Sequence, residues 1–142
     1  MLTKHHRRIG GVVAQVNVEL VRGVYDAFAA GDVDAVFAAM KPDIEWDESE
    51  GMPYGGVYYG RDAIVSNVFG PILADVEGFT AAPDEILPLD DTRVVALGRY
   101  EGRGANGPVR ARFVHIWTVA NGLVSRYQQL ADTYIFRAAV GK

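Results

Sequence analysis

A chain of 142 residues with 49% hydrophobic and 23% charged side chains has the composition of an ordinary globular protein rather than a disordered or membrane one. Its length suits a single domain that buries roughly 70% of its unfolded surface, enough to enclose a pocket as well as a core. A formal net charge of -4 argues against nucleic acid as a partner, and the absence of cysteine excludes disulfides, thiolate metal sites and cysteine nucleophiles.

The one basic cluster, Lys4 to Arg8, lies in a terminus expected to fray, so residues 1–14 are read as a flexible extension of one domain spanning 1–142. No apolar run approaches the roughly 20 residues that cross a bilayer. The segment after the basic residues is short and broken by glycine, a poor signal peptide. The expected location is the cytoplasm, with no membrane partner.

In chain order, Val16, Leu20, Val21, Val24, Tyr25 and Phe28 recur at three- and four-residue intervals and predict a helix with one apolar stripe. Gly31 ends it, because glycine takes a left-handed terminal conformation at little cost. Asp32 then caps a second helix with Val33, Val36, Phe37 and Met40 as its buried face and Pro42 as its stop. "DIEWDE" alternates Ile44, Trp46 and Glu48 with Glu45 and Asp47, the period of a strand with one face inside.

"SEGMPYGGVYYG" is too rich in glycine for regular structure, and its Tyr54, Tyr58 and Tyr59 are placed to cover a cavity mouth. A third helix follows through Ile64, Val65, Val68 and Phe69, kinking or stopping near Pro71. From Phe79 the chain reads as four strands. The first contains Pro83 and Pro88, which cannot donate to a ladder, and so belongs at an edge or in a bulge. The last two meet at Asn121-Gly122, a strong signal for a two-residue hairpin turn. The order ααβαββββ, with strands grouped after helices, predicts an α+β domain: a curved antiparallel sheet packed on three helices.

An uninterrupted ladder from that turn pairs Ala120 with Leu123, His115 with Gln128, Phe113 with Leu130 and Trp117 with Arg126. Period-two alternation then puts Phe113, His115, Trp117, Arg126, Gln128, Leu130 and Asp132 on one inner face. His115 and Asp132 would share an apolar concavity about 13 Å apart at about 3.4 Å per residue, a gap that suits a ligand. The structural alternative is a core His115 bonded to Gln128, with Asp132 as a strand end or a cap for the terminal segment. Asp47, after Trp46 and before the glycine-rich loop, is a third candidate at the pocket rim, where burial would raise its pKa and make it a better proton acceptor. Alternation with Val95 and Leu97 leaves Arg99 either facing inward to hold a carboxylate or outward in a salt bridge.

Other chemistries lack their parts. No phosphate-loop or dinucleotide glycine pattern occurs. His115 is the one histidine outside the N-terminal tail, so a histidine-rich metal site is not expected. Neither a cofactor nor a metal is called for.

Three segments, "YDAFAAGDVDAVFAAMKPDIEWDE", "YYGRDAIVSNVF" and "RFVHIWTVANGLVSRYQQLADT", resemble the nuclear transport factor 2-like superfamily of cone-shaped α+β domains, in its SnoaL-like and ketosteroid-isomerase-related branch. The resemblance spans about Val16 to Tyr134 and implies a cone with an internal pocket. Ketosteroid isomerases move a proton with a carboxylate just after the first strand, where Asp47 falls, and stabilise the enolate with a tyrosine and a protonated aspartate. This chain departs from them twice: His115 stands near the aspartate's place, and the tyrosine's place lies closer to Val24 than to Tyr25. SnoaL-like cyclases pair an aspartate with a histidine on the sheet, for which Asp132 and His115 are the candidates. Epoxide hydrolases of this fold use an Asp-Arg-Asp set, of which Arg99 and Asp132 would supply two members.

The expected activity is therefore acid/base chemistry on an apolar ring- or carbonyl-containing molecule. Asp47, His115 and Asp132 are the candidate catalytic residues, and Trp46, Tyr54, Tyr58, Arg99, Phe113, Trp117 and Gln128 the candidate contacts. The rivals are a noncatalytic ligand-binding domain and a dimeric structural module. A homodimer is expected in either case, because an outer sheet face bearing Val114, Ile116 and Tyr127 invites a partner.

Overall fold

The computed structural model describes residues 11–142. Helix α1 (Val12–Ala29) buries Ala14, Val18, Val21, Val24 and Tyr25 on one side, the three-to-four spacing that a helix needs for a single stripe. Val16, expected in that stripe, is exposed. Of the expected flexible extension, residues 1–10 lie outside the described residues and Val12–Ala14 form the first turn of α1.

Gly31 takes φ 72 beyond the end of α1, and the Asp32 carboxylate accepts the Ala35 N–H at 3.0 Å to start α2 (Val33–Ala38). Pro42 is not the stop that was expected. Strand β1 (Met40–Glu48) already runs through it, and Pro42 falls where the β1 pairing is interrupted, between Met40 and Glu45. Its missing N–H therefore costs no ladder bond there.

Part of the glycine-rich segment does form a strand, β2 (Gly56–Tyr59), antiparallel to β1. The next helical stretch has three pieces: α3 (Arg61–Ile64), a π-helical turn (Val65–Phe69) and α4 (Gly70–Asp75). Pro71 does not end it. The wider π turn, closed by Gly70 N–H to the Val65 carbonyl, directly precedes the proline that an uninterrupted α-helix would not accommodate.

Strands β3 (Glu77–Pro88), β4 (Arg93–Gly104), β5 (Gly107–Ala120) and β6 (Leu123–Ala131) complete a six-stranded sheet in the order β2-β1-β6-β5-β4-β3. β3 is an edge strand, and its pairing shifts between Pro83 and Glu85, as its prolines demand. All neighbours are antiparallel except β1 and β6. A terminal helix not read from the sequence, α5 (Thr133–Val140), packs Phe136 into the core.

The turn at Asn121-Gly122 has φ 53 and 78, as a type I′ hairpin requires, and Ala120 faces Leu123. One step later the ladder slips. Val119 pairs with Val124 but Thr118 pairs with Arg126, so Ser125 is an extra residue in β6, a β-bulge. Beyond it His115 faces Gln129 and Trp117 faces Tyr127. Because a one-residue slip reverses every side chain, Tyr127 and Gln129 point inward, while Arg126, Gln128 and Leu130 point outward.

Candidate active site

The inner face of the sheet meets α1 and the 61–75 stretch around one cavity, lined by residues that include Tyr25, Phe28, Trp46, Glu48, Phe69, Phe79, Tyr100, His115, Trp117, Tyr127 and Gln129. Among its lining residues only Phe28, Phe79 and Ala81 keep partial exposure, so its mouth lies between the C-terminal part of α1 and the start of β3. The cavity is narrow. Its free volume is about 50 Å³.

Its walls are interlocked rings. Trp46 stacks on Tyr127 at 3.7 Å between centroids, Trp117 meets Tyr127 at 4.7 Å, and Phe113 stacks on His115 at 3.9 Å. Such pairs add about 0.5–1.5 kcal/mol each beyond area burial and hold the polar groups among them in place.

His115, 3% exposed, is bonded at both ring nitrogens: Tyr25 Oη lies 2.6 Å from Nδ1 and Tyr100 Oη 2.6 Å from Nε2. Burial pushes its pKa well below the ordinary value, because a charged imidazolium loses its hydration there. The ring is neutral. The array extends in both directions: Trp117 Nε1 donates to Tyr25 Oη at 3.0 Å, and Gln129 Nε2 donates to Tyr100 Oη at 2.6 Å. Burial raises the pKa of Tyr25, Tyr100 and Tyr127 above the usual phenol value, so all three phenols keep their protons.

Glu48 is the carboxyl in the cavity wall. It is 1% exposed, Oε1 accepts from Trp46 Nε1 at 3.0 Å, and Oε2 has no partner. Burial raises its pKa to about 7, opposed by the hydrogen bond from Trp46 and the nearby Gln129 amide and reinforced by the charge of Asp47. A carboxyl poised there exchanges protons readily near neutrality.

The structure separates the three residues expected to act together. His115 lines the cavity. Asp47 has the opposite parity to Trp46 and Glu48, so its half-buried carboxylate lies outside, 3.9 Å from Arg126 Nη2. Asp132 is exposed and caps α5 by accepting the Ile135 N–H at 3.1 Å, one of the structural roles open to it in the sequence.

Of the expected contacts, Trp46 and Trp117 line the cavity. Phe113 is buried and backs the His115 ring. Tyr54 is buried away from the lining and donates to Asp75 at 2.8 Å, while Tyr58 donates to the Tyr54 and Gly55 carbonyls. Arg99 and Gln128 are half-buried on the outer face. Tyr100, not Arg99, is the inward residue of β4, because Val94, Ala96 and Tyr100 are the buried set there. Among the described residues no three His, Asp or Glu side chains converge as a metal-ligand set.

Sequence reasoning missed Glu48, Tyr100, Tyr127 and Gln129 as site residues. The alternation of Ile44, Trp46 and Glu48 did carry the signal for the first. Nothing local marks the bulge that brings in the last two.

Residues 21–127 match the model of the SnoaL-like domain. The chain belongs to this family. An uncharacterised protein of Mycobacterium tuberculosis is 28% identical over 114 residues, covering 80% of this chain and 86% of that one. A nuclear transport factor 2-like protein from Burkholderia thailandensis superposes with a TM-score of 0.81 at 31% identity, covering 88% of this chain and 96% of that one. TerC, co-crystallised with polyporic acid, superposes with a TM-score of 0.80 at 28% identity, covering 89% and 99%. The α+β fold expected from the sequence is thus that of the family.

Proposed function

We propose that this SnoaL-like domain is a metal-free acid/base catalyst for an apolar ring- or carbonyl-containing molecule, with Glu48 as the proton-transfer group. The observation that carries this reading is a buried carboxyl of raised pKa, with one oxygen unpartnered, in the wall of a cavity that also holds buried phenol donors. Glu48 as carboxylate takes a proton from the carbon beside the carbonyl. The C–H bond breaks, an O–H bond forms on Glu48, and the electron pair moves to the carbonyl oxygen. Tyr25 or Tyr100 donates to that oxygen as charge develops, in a site where little water competes. Glu48 then returns the proton to a different carbon.

His115 is not the base, because burial makes its ring a weak proton acceptor and both nitrogens are engaged. It orients the phenols. TerC supports a small-molecule occupant for this fold, since that relative was crystallised with one. Entry of a ring requires Phe28 and Phe79 to swing from the mouth.

Deuterium uptake from D2O into a panel of cyclic ketones tests the reading. Exchange is expected to rise with pH through about 7 as Glu48 ionises, and Glu48→Gln is expected to slow it by about 10²-fold or more. Equal exchange by Glu48→Gln would remove Glu48 from the chemistry. That His115 has both ring nitrogens hydrogen-bonded within the protein favours a second reading, a noncatalytic binding domain, which ligands that bind across the pH range without exchanging would establish.

A further inference from the structure

Glu48 is held at one oxygen and bare at the other. Oε1 accepts from the Trp46 indole N–H at 3.0 Å, whereas the buried Oε2 has no partner. Buried polar atoms are bonded as a rule, so a bare oxygen calls for an explanation. Two neighbouring donors point elsewhere: the Ser49 N–H, one residue along the chain, goes to Gln129 Oε1 at 3.0 Å, and Gln129 Nε2 goes to Tyr100 at 2.6 Å.

Trp46 and Glu48 stand two residues apart on β1 and so share its inner face. The indole has little freedom to turn. It stacks on Tyr127 at 3.7 Å and 25° between planes, and Phe69 and Trp117 pack against it at 83° with centroids 5.4 and 5.9 Å away. The whole residue is 5% exposed, and its N–H edge is the part turned to Glu48. The other indole serves a different group, since Trp117 Nε1 donates to Tyr25.

We infer that Trp46 is the positioning residue of the site: its indole N–H, fixed by the ring stack on Tyr127, holds Oε1 of Glu48 and leaves Oε2 as the oxygen that exchanges a proton with a ligand. This deepens the proton-transfer reading of Glu48 and rests on it. The other groups of the cavity wall that could change charge are Tyr25 from α1, Tyr100 from β4, His115 from β5 and Tyr127 from β6, while the 61–75 stretch adds only Val68, Phe69 and Ile72. Burial keeps those phenols protonated and that imidazole neutral, and Asp47 lies on the outer face beside Arg126. Glu48 is therefore the group whose ionisation the Trp46 N–H reports, because a carboxylate accepts a stronger hydrogen bond than a carboxylic acid does.

The chain has two tryptophans, and NMR of full-length protein carrying nitrogen-15 in its indoles and carbon-13 in its glutamate carboxyls tests the inference from about pH 5 to about pH 9. The Trp46 N–H resonance is expected to move with the same midpoint as the Glu48 carboxyl carbon, while the Trp117 N–H, bonded to a phenol that keeps its proton, stays nearly fixed. In Glu48→Gln the movement is expected to vanish. Trp46→Phe keeps a ring against Tyr127 and removes the donor, so the Glu48 midpoint is expected to rise by about one pH unit. A Trp46 resonance that stays fixed through the Glu48 titration would overturn the inference, as would a folded Trp46→Phe protein with the parent midpoint; if that variant does not fold, the parent spectra decide. Ketone exchange that follows the Glu48 midpoint beside a fixed Trp46 resonance sinks the positioning role alone. A Trp46 resonance that tracks Glu48 without exchange of any ketone sinks the catalysis alone, and a Glu48 carboxyl that does not titrate in this window removes both.

Discussion

Glu48 is the residue whose charge the fold controls most directly. Its folded pKa of about 7 stands above the ordinary 4.5, so the native state binds the proton more tightly than the unfolded chain does. The stability it contributes is fully present below about pH 4.5 and is lost as pH rises to about 7. The difference is on the order of 3 kcal/mol. Glu48→Gln keeps an acceptor for Trp46 and removes the charge, so urea unfolding at pH 8 should show a gain of about 1–3 kcal/mol. His115 acts in the opposite sense: its folded pKa is depressed, and stability is lost as pH falls below about 6.5. Between pH 4.5 and 7 the Glu48→Gln protein should therefore gain stability with rising pH, while the two slopes oppose each other in the parent. Parallel profiles would show that Glu48 does not titrate in this window. Glu48 was legible in the sequence because strand parity ties it to Trp46. Asp47 drew attention instead through its place before the loop, although parity sends it outward.

At the scale of elements, Ser125 decides the composition of the site. A ladder that paired Ser125 with Thr118 would turn Tyr127 and Gln129 out of the cavity and Arg126 and Gln128 into it, burying a guanidinium among Trp46 and Trp117 without a partner. Deleting Ser125 removes the extra residue and leaves Arg126 opposite Thr118 and Tyr127 opposite Trp117, so circular dichroism of that variant should show a cooperative melt with the site retained; loss of the cooperative fold would mean that the bulge itself is required. Asp132 belongs to this scale too. As the cap of α5 it should cost about 1 kcal/mol of stability when changed to Ala, read as a lower melting temperature. Turnover of any ketone found in the exchange screen should be unchanged, and a tenfold loss in a folded Asp132→Ala protein would return Asp132 to the chemistry. The cap was legible as one of two roles for Asp132. The helix it starts was not, because "TYIFRAAV" is short and follows a strand without a break.

On the scale of the whole molecule, the outer sheet face bears half-buried Val95, Leu97, Val114 and Ile116, with Leu130 58% exposed. Tyr127, expected among them, is in the core instead. An apolar strip at the centre of a sheet face suits a second copy related by a two-fold axis. Sedimentation equilibrium should give a dimer, and Ile116→Asp should give a folded monomer; a monomeric parent would leave the strip without this role. What the sequence by itself determined was the class of fold, α1 and α2, the edge position of β3 and the Asn121-Gly122 turn. Those features follow from periodicity, caps and turn chemistry, which act over a few residues. The tertiary structure alone decided which polar residues share the cavity. That choice depends on a one-residue bulge and on contacts between residues as far apart as Tyr25, Tyr100 and His115, whose hydrogen bonds and desolvation exist only once the sheet has closed over α1.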